Sequence, residues 1–160
     1  MRGGRAGKAG VAALLAMAAC SDGGGSAALS TLAEYAQGDW SCEITSADRE
    51  LSGAALRFEA TVEADSSTSG TFSFGSPLGM PDVYEGEWHL EGTSLEMDVA
   101  GLSRYAARGV ELDTDRIEIL EDAEGSEVER VSIDRHGDTV TFGWADPWSG
   151  ADTTMDCTKA

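Results

Sequence analysis

The chain has 160 residues, with 29 acidic and 11 basic side chains and a formal charge of −18. A field of that sign repels phosphate backbones and anionic lipid surfaces, so nucleic acid is excluded as a natural partner. The length suits one domain, large enough to bury a core without a structural metal.

The chain opens with Arg2, Arg5 and Lys8, followed by an apolar run from Gly10 to Ala19 that carries Val11, Leu14, Leu15 and Met17. Small residues Ala18 and Ala19 then lead into Cys20. A positive start, a short apolar segment and a small-residue cleavage site are the layout of a secretory signal. The run is too short for a transmembrane helix, which needs roughly 20 apolar residues. Met17-Ala18-Ala19-Cys20 resembles the lipobox of bacterial lipoproteins, with Met17 where Leu is usual. The resemblance implies removal of residues 1–19, acylation (palmitate) of Cys20 and a lipid anchor in the cell membrane, facing outside the cytoplasm. The alternative is an ordinary signal cut near Ala19 with an incidental cysteine behind it.

The expected organisation is therefore a signal peptide at 1–19, a lipidated Cys20 with a linker at 20–28, and a folded domain at 29–160. Ser21 to Ala28 is rich in Gly and Ser and is expected to act as a flexible connection. Loss of the three N-terminal cations leaves 8 basic against 29 acidic residues, a charge of −21. Of the three cysteines, Cys42 and Cys157 remain near opposite ends of the domain, in a compartment that permits disulfides. They are expected to pair; two buried free thiols are the alternative.

Leu29 to Gln37 is a helical candidate, with Leu29, Leu32, Ala33 and Ala36 on one face and Gly38 as its stop. Period-two alternation follows. Strands are expected near Trp40–Thr45, Ala55–Ala64, Thr71–Gly75, Asp82–Glu91 and Ser94–Ala100. Gly101 to Thr114 reads as a long irregular connection with room for a helical turn. Further strands are expected near Arg116–Leu120, Val128–Arg135, Thr139–Ala145 and Thr153–Thr158. Eight or nine strands in hairpin succession, with no crossover helix, indicate an all-β antiparallel up-and-down β-barrel behind a short helix. Nine strands would force one parallel pair at the seam, where a Cys42–Cys157 bond would join first strand to last.

Successive connections in a meander fall at alternate ends. Those near Ser46–Ala54, Ser76–Pro81 and Gly101–Thr114 are long and share one end. Those near Asp65–Ser69, Gly92 and Gly125 are mostly tight and share the other. That pattern describes a cup, with Leu51, Leu78, Met80, Leu102 and Tyr105 at its mouth. Inward positions Phe58, Tyr84, Trp88, Met97, Phe142 and Trp144 complete the candidate lining for a small apolar ligand. A barrel simply filled by these side chains is the alternative.

Gly38-Asp39-Trp40, at the start of the first strand after a short helix, is similar to the Gly-x-Trp motif of lipocalins and their calycin relatives. The resemblance implies a lipocalin-like barrel whose floor is closed by Trp40 and whose interior takes small apolar molecules. In that family an arginine of the last strand stacks on the tryptophan; the last strand here has none.

Catalytic chemistry finds little footing. There is no Gly-x-Ser-x-Gly elbow, P-loop or His-Glu-x-x-His. His89 is expected to face outward and His136 to sit in a turn. The acidic runs Asp113–Asp115 and Glu121–Glu124 lack EF-hand spacing and read as solvated turns. No cofactor or metal is expected. Trp148, in Asp146-Pro147-Trp148-Ser149-Gly150, is a candidate contact residue. The sequence thus points to a non-enzymatic, membrane-anchored lipoprotein binding a small apolar ligand in its barrel. The alternative is a protein-interaction module of the cell envelope with a filled barrel.

Overall fold

The computed structural model describes residues 31–47, 56–76, 82–101, 104–111, 114–121, 128–146 and 149–160. It opens with helix α1 (Leu32–Ala36), shorter than the expected span. Thr31 Oγ1 accepts from the Glu34 amide at 3.2 Å, and Glu34 Oε2 accepts from the Thr31 amide at 3.1 Å. This capping box satisfies two amides that a helix start leaves open. Gly38 ends the helix with φ of 131°, a region that side-chain-bearing residues rarely enter. A Cβ there would stand 2.9 Å from Lys159 Cε, which a flexible lysine can relieve, so the positive φ is what requires glycine.

Ten strands follow among the described residues. They are β1 (Gly38–Ser46), β2 (Leu56–Ala64), β3 (Ser69–Gly75), β4 (Val83–Glu91), β5 (Ser94–Val99), β6 (Arg104–Arg108), β7 (Arg116–Glu121), β8 (Val128–His136), β9 (Thr139–Ala145) and β10 (Asp152–Lys159). Each pairs with its sequence neighbours, and β1 pairs with β10 antiparallel, so the sheet closes into a barrel. The fold class is as expected, but the count of eight or nine is corrected to ten. The missing strand is β6, inside the stretch read as an irregular connection. It pairs with β5 and β7 in full register, Met97 opposite Tyr105 and Ala107 opposite Ile119. The tenth strand also removes the parity problem, because an even number lets first and last strands run antiparallel.

That correction moves two connections. β5 and β7 finish at the looped end, where β1, β3 and β9 also finish, and β6 finishes at the tight end, where β2, β4 and β8 finish. Gly125 itself lies outside the described residues; the strands on either side of it, β7 and β8, meet their connection at the looped end, not at the tight end expected.

Alternation dictates which side chains point inward. On β1 these are Trp40, Cys42 and Ile44; on β9, Val140, Phe142 and Trp144; on β10, Thr153, Met155 and Cys157. Outward positions carry polar rungs such as Thr61 donating to Asp39 at 2.7 Å and Arg57 donating to Glu43 at 2.6 Å. Cys42 and Cys157 face each other directly across the β1–β10 seam, with Cα atoms 4.1 Å apart, and form a disulfide.

Gly86 marks a tight place in the wall. It points inward between Phe72 of β3 and Val99 of β5. A Cβ would overlap the Phe72 ring and stand 2.5 Å from the Asp98 carbonyl oxygen. Gly86→Ala is expected to cost about 1–3 kcal/mol through overpacking, read as a lower urea midpoint. An unchanged midpoint would mean that the Phe72 ring can swing away freely.

Candidate functional site

The tight end is closed by α1. Leu32, Ala33, Tyr35 and Ala36 are all buried there. Trp40 stands behind the helix with no exposed surface, and its Nε1–H donates to the Ala36 carbonyl at 2.8 Å. The Tyr35 hydroxyl donates to the Gly137 carbonyl at 3.2 Å, which ties the helix to the β8–β9 turn. Lys159 completes the lock. Its Nζ donates to the Tyr35 carbonyl at 2.8 Å and lies 5.4 Å from the Trp40 ring centroid and 5.8 Å from that of Tyr35. A cation over an aromatic face gains from the ring's electron-rich surface. The sequence shows no arginine in the last strand, and the structure puts Lys159 of β10 over Trp40. The missed signal was phase: Met155, Cys157 and Lys159 alternate inward together, so the lysine comes out at the rim.

Burial pulls the Lys159 ammonium below its ordinary pKa of 10.5, and the Asp138 carboxylate partly offsets this. The unfolded chain therefore holds this proton more tightly than the folded one. At this group the fold gains stability as pH rises through the folded pKa towards 10.5, and the contribution is constant below it. Lys159 is the only lysine after Lys8, so its side-chain signal is simple to assign by NMR. Its titration midpoint is expected below 10.5, and lower still in Asp138→Asn. A midpoint at or above 10.5 would contradict the desolvated geometry.

The looped end is aromatic. Phe74 lies 6.5 Å from Phe58, 6.2 Å from Phe72 and 5.2 Å from Tyr84, centroid to centroid. Tyr84 is only half-buried, and Trp144 is 8% exposed. Tyr105, on β6, is buried on the inner face of the wall. These residues, with Phe58, form the part of the expected lining nearest the mouth.

The others lie elsewhere. Met97 and Phe142 sit at mid-height with no exposed surface. Trp88 is towards the closed end, its Nε1–H donating to the Glu63 carbonyl at 3.1 Å. Leu51, Leu78, Met80, Leu102 and Trp148 lie outside the described residues, as does Cys20.

At mid-height the interior is solid. Met97, Ala107, Val131, Val140, Phe142, Met155 and Cys157, from five different strands, all have zero exposure. A void large enough for water would give the side chains around it accessible area. A groove of about 570 Å³ lies instead on the outer wall, lined by Thr61, Glu63, Thr71, Glu85, Glu87 and Asp98 among others. Its rim is acidic, Phe72 and Gly86 contribute apolar surface, and it is separate from the expected cup.

His89 and His136 are both exposed, and His136 Nε2 lies 3.3 Å from Asp134 Oδ1. Among the described residues no three His, Cys, Asp or Glu side chains converge in a way that could hold a metal ion. Val83, at the start of β4 beside Tyr84, is 65% exposed and is the one large hydrophobic side chain so exposed among the described residues. It occupies an outward position of β4, where alternation alone expects a polar residue.

No protein-family model matches this sequence, and no curated protein matches it. Among solved structures, the chain is similar to a de novo designed fluorescence-activating β-barrel. The two share 16% sequence identity with a TM-score of 0.43, over 82% of this chain and 100% of that one. The barrel assignment made above rests on the strand pairing itself.

Proposed function

We propose that this protein is an exported, acyl-anchored module of the cell envelope that works by contact and carries out no bond-making chemistry. The observation that carries this reading is the solid belt at mid-height: a barrel filled by its own side chains is a rigid support for its ends. The lipobox-like Met17-Ala18-Ala19-Cys20 and a buried disulfide suited to an oxidising compartment support export. Exposed Val83 at the looped end, and Trp148 in the sequence between β9 and β10, offer apolar contact chemistry in an acidic chain.

Cross-linking in intact cells tests this. Val83→Asp is a surface change and is expected to alter stability by less than about 0.5 kcal/mol. It should nevertheless weaken a specific cross-linked product, as should Trp148→Ala. Products identical for wild type and both variants would remove the looped end from the account.

A second reading keeps the small apolar ligand, confined to the mouth. It is favoured by the Phe58–Phe74–Tyr84 cluster and the half-buried Tyr84 ring. An environment-sensitive dye discriminates the two. Saturable binding competed by fatty acids and lost in Tyr84→Ala would favour the ligand; no saturable signal would favour the filled module.

A further inference from the structure

We infer that the two ends of the barrel face different surroundings: the helix-closed end towards the bilayer, the looped end away from it, so that partner or ligand arrives from the aqueous side. This rests on the tether proposed above. Thr31 begins the described chain at α1, and α1 is locked to the closed end through Trp40, Gly137 and Lys159. The connection from Cys20 therefore enters the fold at that end. Residues 21–30 span at most about 36 Å in any conformation.

The nine residues of β1 run roughly 30 Å, which at barrel tilt gives a height of about 25 Å. To turn the looped end to the bilayer, the connection would have to run past the whole wall. That would consume most of its reach and nearly all its conformational freedom. With the closed end nearest the lipid, the same connection keeps its slack. Exposed Glu34, Asp65, Glu91 and Asp138 ring the closed end, so anionic lipid does not draw it flat. The closed end stands off the surface, and the other end points away from it.

The test uses the full-length protein purified from a host that processes lipoproteins, placed in phosphatidylcholine nanodiscs. Mass spectrometry first establishes whether Cys20 carries an acyl anchor. A paramagnetic chelate on the lipid headgroup then broadens backbone amide signals according to their closeness to the bilayer. Amides of Thr68, Thr93 and Asp138, at the closed end, are expected to broaden severalfold more than those of Ala47, Ala100 and Ala151 at the looped end. An acylated protein with a flat or reversed gradient would overturn the orientation and leave the tether standing. A protein without the acyl mass would overturn the tether and the orientation with it.

Discussion

Removing the Cys42–Cys157 bond is expected to lower stability by about 4–5 kcal/mol. The two residues are 115 positions apart, so the bond closes nearly the whole domain into one loop. In the chain-entropy account, that restricts the unfolded ensemble far more than the folded one. The location adds to the effect. The bond crosses the β1–β10 seam, the one strand pairing that no hairpin turn holds together. For a domain of this size, each kcal/mol is worth roughly 2–4 °C, so the melting temperature should fall by about 10–20 °C. Cys42→Ala with Cys157→Ala is the cleaner variant, since both positions are buried and a serine pair would add desolvated hydroxyls. Denaturant unfolding of the oxidised protein against this variant measures the difference. A loss under about 1 kcal/mol would show that the seam is held by its hydrogen bonds alone.

Trp40→Ala is expected to cost about 3–5 kcal/mol, because a fully buried indole is removed from a site that cannot collapse around the gap. Trp40 has three further tasks. Its Nε1–H satisfies the Ala36 carbonyl at the end of α1, its ring packs 5.9 Å from that of Tyr35, and its face receives the Lys159 ammonium. The helix should therefore loosen before the barrel does. Hydrogen exchange at the Gln37 amide, which bonds to Ala33, reports this directly. Trp40→Phe keeps most of the bulk but drops the donor, and should lose about 1 kcal/mol beyond its packing deficit. If Trp40→Ala unfolds within about 1 kcal/mol of wild type, the closed end is not organised around this residue.

Much of the wall could be read directly from the residues. Phe72, Phe74, Val140, Phe142 and Trp144 alternate with polar neighbours so sharply that strand and face follow together. β6 escaped because Arg104-Tyr105-Ala106-Ala107-Arg108 offers only one strong contrast. Ala107 is fully buried and Ala106 half-buried, yet the two side chains are the same. Lys159 escaped for a related reason: a cation in phase with a core face looks like the end of a strand. Only the folded rim supplies the Tyr35 carbonyl and the two rings that make its burial tolerable.

The residues by themselves determined an all-β antiparallel wall, the inward set, the helix at its start and the two cysteines available to pair. These depend on periods of two and on local turn chemistry, which a single strand and its neighbours express. Tertiary structure decided the number of strands in the ring, which strand ends share an end of the barrel, and which side chains fill its middle. Those are closure properties. They depend on how every strand tilts and how all the inward side chains share one volume, and no window of sequence contains that sum.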